Sequence, residues 1–279
     1  DGGAGNDTAV YSDDVAAPVW NGTAWVVTSA ADGTDTLTDI EIVDDANGGR
    51  YLLVDTSATG GFATIQAAVD AAVSGDTILL APGTYAGNFT VATGISIIGA
   101  AAGTPGTGQT SGTGSILTGQ VTVTASAGQT VTFQGIEFQN NSVNADVHNA
   151  ITVSGGADVV VTNNLFWSTG PNGNSSLGDF GVFLVAAASG NIDVTDNYFS
   201  GTSQAGFGTA SWRSGVWSDG NAATLDVTGN TFEYVRTGLN LDGYDDATTS
   251  ISGNIFKDAG SGISIGTGDS IITNIEHNT

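Results

Sequence analysis

Two aspartates in equivalent sequence contexts could supply a pair of carboxylates. Asp219 and Asp242 each end a segment of the form apolar-x-x-Asp, followed by glycine. If the two segments are neighbouring turns of one repeat, these carboxylates lie near 5 Å apart, which suits either retaining glycoside hydrolysis or a shared Ca²⁺. Asp193 and Asp226 form a second pair of this kind. Chance alignment is the alternative, because the chain is rich in acidic residues.

Aromatic residues cluster in and beside two long segments that follow a repeated phenylalanine. Their side chains suit stacking against sugar rings, with nearby Asn, Asp and Ser residues as hydrogen-bonding partners. The alternative is that the rings bury one another and hold the segments in place. The aromatic residues are Trp167, Phe180, Phe207, Trp212 and Trp217, of which all but Phe207 are candidate ligand-binding residues.

The first ten residues contain a candidate metal site. Residues 2–10 fit one copy of the nonapeptide G-G-x-G-x-D-x-U-x, where U is an apolar residue. Glycine lets successive carbonyl groups turn towards one ion, and a carboxylate adds the hard oxygen that Ca²⁺ prefers. Gly3, Gly5 and Asp7 are therefore predicted Ca²⁺ ligands, although a solvated loop would have the same composition.

A repeat of the form aliphatic-x-x-Asn-x-Phe must position these groups. Its asparagines are spaced 33, 33, 24 and 24 residues apart, and the last copy lacks the phenylalanine. Each of the four complete copies is followed by a second short strand that begins with glycine. A period in the low twenties that consists of strands and turns predicts one rung of a solenoid. The asparagines are Asn164, Asn197, Asn230, Asn254 and Asn278.

The pattern predicts an all-β, right-handed parallel β-helix over residues 55–279, with valines and phenylalanines stacked between rungs and asparagines forming a ladder at one corner. Insertions at residues 167–180, 200–214 and 139–149 follow the phenylalanine-bearing strand, so stacking should place them side by side as one lateral wall. Segments that depart from a regular repeat often carry function.

Residues 62–73 show the one convincing helical pattern, with apolar residues at i, i+3, i+4 and i+7. We expect this helix to cover the open end of the solenoid core. Residues 1–54 are predicted to form a separate small β segment, within which Asn21-Gly22 indicates a β-hairpin.

The charge limits the possible partners. With 28 acidic and four basic residues the formal net charge is −24, which disfavours nucleic acid and other polyanions unless cations bridge them. No apolar run approaches the roughly 20 residues of a membrane-spanning helix. The chain contains no methionine, so we expect it to be part of a larger protein whose solenoid continues beyond Thr279.

The helix at 62–73, with residues 83–85 and 95–99, resembles the opening of the pectin lyase-like superfamily. Residues 1–10 and 32–41 resemble segments of RTX proteins, which are exported by type I secretion and bind Ca²⁺. The resemblance implies the β-helix fold and a secreted or cell-surface location. It leaves activity open, since the superfamily includes lyases, hydrolases, esterases, epimerases and silent surface proteins.

The catalytic motifs of those enzymes are missing from the sequence. We therefore expect a non-enzymatic structural or adhesive module, of the S-layer or adhesin type, that binds extracellular polysaccharide or assembles with itself. A polysaccharide hydrolase or lyase that acts in a groove beside the lateral wall, with Asp219 and Asp242 as the catalytic pair, is the alternative.

Overall fold

A computed structural model describes residues 2–57, 60–140, 149–168, 179–201, 212–220, 223–242, 248–266 and 271–279. These residues form short strands, one α-helix (α1, Ile65–Ala71) and a 3-10 turn (Gly106–Gly108). The strands, in chain order, are β1 Thr8–Val10, β2 Val19–Trp20, β3 Trp25–Ser29, β4 Gly33–Leu37, β5 Ile42–Asp44, β6 Arg50–Val54, β7 Thr77–Leu80, β8 Gly83–Tyr85, β9 Phe89–Val91, β10 Ser96–Ile98, β11 Ser115–Leu117, β12 Val121–Val123, β13 Thr130–Gln134, β14 Ile136–Asn140, β15 Asn149–Val153, β16 Asp158–Thr162, β17 Leu165–Ser168, β18 Phe180–Leu184, β19 Asn191–Thr195, β20 Tyr198–Ser200, β21 Ser214–Asp219, β22 Thr224–Thr228, β23 Thr231–Glu233, β24 Thr237–Asp242, β25 Thr248–Ser252, β26 Ile255–Lys257, β27 Ser261–Ile265 and β28 Ile271–Glu276.

The strands stack in three parallel sheets, and each rung contributes one strand to each sheet. The first sheet has the order β1-β5-β6-β7-β10-β13-β16-β19-β22-β25-β28, the second β8-β11-β14-β17-β20-β23-β26, and the third β9-β12-β15-β18-β21-β24-β27. Apart from the antiparallel pair β5 and β6, neighbours within these sheets are parallel. The chain is thus a right-handed parallel β-helix, as the repeat predicts.

Identical side chains stack from rung to rung in the core. The second sheet carries a ladder of phenylalanine rings whose centroids lie 4.8, 4.4, 4.8 and 5.1 Å apart and whose planes are within 13° of parallel. Such stacking follows from the register, which places each ring directly above its equivalent. The rings belong to Phe138, Phe166, Phe199, Phe232 and Phe256.

The asparagine ladder lies at the corner between the first and second sheets. Oδ1 of Asn197 accepts two hydrogen bonds from Asn164, one from the backbone N–H at 2.9 Å and one from the side-chain N–H at 3.0 Å. Asn197 donates the same two bonds, at the same distances, to Oδ1 of Asn230. The residue before each asparagine has positive φ, as at Asn163 (54°) and Gly229 (70°). This left-handed turn directs the asparagine inward, where Asn230 is fully buried.

Helix α1 is shorter than the predicted span of 62–73 but covers the core end as expected. Thr64 has an extended backbone and its hydroxyl accepts the N–H of Ala67, so the helix begins after Thr64. Phe62 precedes it and instead bridges to β6. Ile65 and Val69 are buried in the core of the β-helix. Their spacing of four residues places both on the helix face that packs against this core.

The segment before β6 extends the first sheet with β1 and β5 and places its other strands over the outer face of that sheet. The predicted hairpin is present, with Val19 opposite Val26 and Trp20 opposite Trp25. Strands β2, β3 and β4 form a three-stranded antiparallel sheet. A second buried cluster joins this sheet to the first sheet and includes Trp25, Val27 and Leu79.

Candidate functional site

The outer face of the third sheet carries an aromatic platform, which we define as Phe180, Phe183, Arg213 and Trp217. Phe183 and Trp217 are register partners on adjacent strands, and their ring centroids are 5.5 Å apart. Both side chains are only partly buried. The next partner in this outward row is Asn240, so a polar side chain borders the rings. The platform combines ring surface with nearby hydrogen-bonding groups.

Arg213 and Phe180 complete the platform from the corner that precedes the third sheet. The Arg213 guanidinium carbon lies 5.1 Å from the Trp217 ring centroid and 5.9 Å from that of Phe180. Phe180 is 2% exposed and meets Trp217 edge-on at 4.2 Å. Arg213 thus makes cation–π contacts with both rings, and its guanidinium carries a planar array of N–H donors.

Two buried polar atoms beside the platform have no hydrogen-bond partner among the residues that the structure describes. They are Nε1 of Trp217, a donor, and Oδ1 of Asn149, an acceptor. Asn149 is 7% exposed and is the register partner of Phe180, while its Nδ2 donates to Thr152 at 3.3 Å. Unpaired buried groups cost free energy and occur at functional positions more often than in a plain core.

The structure brings together only some of the predicted aromatic residues. Phe180 and Trp217 come together, and their mutual packing matches the alternative that the rings bury one another. Trp212 was expected on the exposed wall, and that expectation is wrong. It is 0% exposed, packs edge-on against Phe166 at 6.2 Å, and its Nε1 donates to the Phe166 carbonyl at 3.1 Å. Trp212 therefore belongs to the core.

The remaining members of the predicted wall lie elsewhere. Trp167 is partly buried on the second sheet, in register with Gln139 and Ser200, whereas the platform lies on the third. Phe207 and most of the three insertions lie outside the described residues. Phe183 and Arg213 were not among the predicted site residues. Phe183 could have been found by aligning it with Trp217 in the repeat.

The predicted aspartate pairs are in register. Asp219 lies beside Asp242 at the ends of β21 and β24, and both side chains are exposed. Asp193 lies beside Asp226 on the first sheet. Burial first, then the charges of Asp226 and Asp158, raises the pKa of Asp193. The two pairs lie on different sheets, so they do not form one acidic centre.

Two of the N-terminal candidate metal ligands are glycines in a left-handed backbone region. Gly3 and Gly5 have φ values of 92° and 128°. The Asp7 N–H donates to Oε2 of Glu41 at 2.7 Å, and Oδ2 of Asp7 is buried without a partner. Glu41 was not predicted as a neighbour, because 34 residues separate it from Asp7. No group of three or more His, Cys, Asp or Glu side chains arranged for a metal occurs in the part of the chain that the structure describes.

Comparison with known proteins adds little to this geometry. No family model and no curated protein matches the chain. Among solved structures, a PL6 family alginate lyase variant matches with a TM-score of 0.36 and 14% identity. The match covers 82% of this chain but only 39% of the lyase, and at this level it does not bear on function. Among the described residues, no helix is long and apolar enough to cross a membrane.

Proposed function

We propose that the chain is a non-enzymatic, polysaccharide-binding β-helix module of a secreted or cell-surface protein. The observation that carries this proposal is the aromatic platform, with Trp217 and Phe183 side by side on the outside of a rigid sheet and Arg213 stacked over Trp217. Sites built on strands hold their side chains in place before the ligand arrives, which reduces the entropy lost on binding.

The charge of the chain favours a neutral polysaccharide. A net charge of −24 repels acidic polymers over the range of the Debye length, about 8 Å at physiological ionic strength. A neutral sugar ring can pack an apolar face on Trp217 while its hydroxyls receive hydrogen bonds from Arg213 and Asn240. Arg213 then acts as a fork of N–H donors rather than as a counter-charge.

Binding to a panel of neutral and acidic polysaccharides, by affinity electrophoresis, tests this proposal. We expect Trp217→Ala to weaken binding by at least about tenfold, the scale of a central aromatic contact. Trp20→Ala is the matched control, since Trp20 is a partly buried tryptophan on the N-terminal hairpin. The proposal is wrong if no polysaccharide binds, or if both variants bind as tightly as the unchanged protein.

The register of Asp219 and Asp242 favours a second candidate, a polysaccharide hydrolase. Parallel register places equivalent atoms about 4.8 Å apart, close to the carboxylate separation of retaining glycosidases. Release of reducing ends from the same panel is the assay, with Asp242→Asn as the test variant and Asp226→Asn as the control. Turnover that only Asp242→Asn abolishes would replace the binding proposal by the enzymatic one.

Calcium binding at Gly3, Gly5 and Asp7, and assembly of the module with itself, extend the proposal. The positive φ angles of both glycines and the unpaired Oδ2 of Asp7 support a bound cation. Type I export and an S-layer or adhesin role rest on the resemblance of residues 1–10 and 32–41 to RTX proteins.

A further inference from the structure

Glu137 is a carboxylate buried on the outer side of the second sheet. It is 2% exposed and lies between its register partners Ile116 and Leu165, which are 7% and 1% exposed. The connection from β10 to β11 covers it, since Oε1 of Glu137 accepts the Ser111 hydroxyl at 2.5 Å and Oε2 accepts the Gly112 N–H at 2.7 Å. An acidic side chain is therefore enclosed between two aliphatic side chains and a crossing segment.

The charge of Glu137 has no cationic partner among the described residues. Its third hydrogen bond comes from Nε2 of Gln139 at 2.7 Å, so all three donors are neutral. None of the ion pairs in the described part of the chain includes Glu137, and the sequence has no Lys or Arg between Arg50 and Arg213. A buried charge is normally balanced by an opposite charge. A carboxylate has about four acceptor positions, so these three donors leave one position, on Oε2.

A cavity of about 200 Å³ adjoins Glu137. Glu137 lines it together with residues of the same connection, which include Thr104, Gln109 and Thr110. Nε2 of Gln109 donates to the carbonyl oxygens of Thr104 and Asn163 at 3.1 and 2.5 Å, so the amide oxygen remains as an acceptor. Glu137 is the only charged residue among the described residues that line the cavity. The lining thus combines one negative charge with neutral oxygen acceptors.

We propose that this cavity binds the primary ammonium group of a small organic amine. The single positive charge balances that of Glu137, and the three N–H donors match Oε2 of Glu137 and the side-chain oxygens of Gln109 and Thr110. Ca²⁺ takes about 6–8 oxygen ligands, which a lining with one carboxylate does not supply. The cavity has several times the volume of one water molecule, about 30 Å³, so it also admits the carbon atoms of the amine. This site lies on the second sheet, whereas the aromatic platform lies on the third.

Titration of the ¹⁵N-labelled protein with ethylammonium chloride at constant ionic strength, followed by NMR, tests the proposal. We expect the Gly112 amide signal, which reports on Oε2 of Glu137, to shift and saturate with a Kd on the order of 1–10 mM, the range open to a ligand with so few atoms. Potassium chloride should give no saturating shift. Absence of saturation with ethylammonium would overturn the site, and equal saturation with potassium would overturn the assignment to an amine.

Three variants locate the binding. Glu137→Gln keeps the size of the side chain and removes its charge, so saturation should be lost. Because this change also replaces an acceptor by a donor among the partners of Glu137, Thr110→Val is an independent test at an exposed residue of the lining, and it should weaken binding by about three- to tenfold. Thr84→Val is the matched control, since Thr84 is exposed in the same outward row, beside Ile116, and does not line the cavity. Equal binding by all three variants would refute the proposal.

Discussion

Replacement of one buried asparagine of the ladder should destabilise the whole β-helix. Asn230 is fully buried, and its Oδ1 accepts the backbone and side-chain N–H groups of Asn197 at 2.9 and 3.0 Å. Its Nδ2 donates to the carbonyl oxygen of Val194 at 2.7 Å and to Oδ1 of Asn254 at 3.1 Å. Nδ2 also donates to the Thr228 carbonyl oxygen at 3.2 Å, so its two hydrogens serve three acceptors. Asn230→Ala removes all five bonds and changes no charge.

The expected loss of stability depends on which hydrogen bonds each partner of Asn230 keeps after the substitution. The Asn197 backbone N–H loses its acceptor inside the core, which costs about 1–3 kcal/mol. The Asn197 side chain still donates to Val161, so that bond and the two from Nδ2 count only their net worth, about 0.5–1.5 kcal/mol each. With the middle of each range and the two Nδ2 hydrogens counted once each, the sum is about 5 kcal/mol, or roughly 10–20 °C in Tm at about 2–4 °C per kcal/mol.

Denaturant unfolding followed by far-UV circular dichroism measures this loss. Asn278→Ala is the matched control, because Asn278 makes equivalent bonds to Asn254 and to the Ile251 carbonyl but is only partly buried. Water can replace its bonds, so we expect a loss within about 1 kcal/mol. Equal losses for both variants would refute the reasoning, since the ladder would then contribute equally in water and in the core.

Two further predictions concern charge. The pKa of Asp193 is raised, so the folded state holds a proton to higher pH than the unfolded state, and stability falls as pH rises through the folded pKa. Asp193→Asn should therefore raise the Tm at pH 7 and leave it almost unchanged at pH 3, and thermal scans at both values check this. Chelation of Ca²⁺ should speed hydrogen exchange of residues 2–13 and leave the β-helix protected, and equal exchange with and without chelator would contradict the proposed metal site.

The sequence predicts the later rungs well because their signal is local and repeated. Each of the five repeat asparagines takes the ladder position, and the phenylalanines stack as expected. The earlier rungs carry no such frame. Ile136 occupies the equivalent corner in its rung, and its backbone N–H donates to Oδ1 of Asn164, so the ladder ends on an aliphatic residue that no pattern could mark.

The long connection after β10 was not predicted to have a structural role. Its backbone crosses the outside of the corner, where the Ala101 N–H donates to the Gly135 carbonyl and the Gly106 N–H to that of Asp196. A Cβ on Gly106 would lie 2.3 Å from the Asn164 carbonyl oxygen, so only glycine permits this approach. Such contacts join residues far apart in sequence and leave no periodicity to read.

The insertions show a related limit on the prediction of sites. An insertion in a solenoid indicates a surface segment, but its side chains follow no fixed alternation of inward and outward directions. Trp212 therefore could not be distinguished from Trp217 by sequence, although it is fully buried and Trp217 is not. The register of β18 and β21 does distinguish them, because it places Trp217 on the outward row with Phe183.

The outward row of the first sheet gives the N-terminal segment an apolar contact that needs no metal. Leu53 and Leu79 are register partners buried in the second cluster, and Ile98 follows them at its edge. Beyond Ile98 the row turns polar, first at Gln134 and then through threonines that bond to one another. The apolar part ends where the segment's cover ends, so burial of Leu53 and Leu79 holds the segment in place. Val43 of β5 lies in the same buried cluster, so this contact also holds the strand next to Asp7, and we expect any effect of chelation to be confined to the loop residues around Asp7.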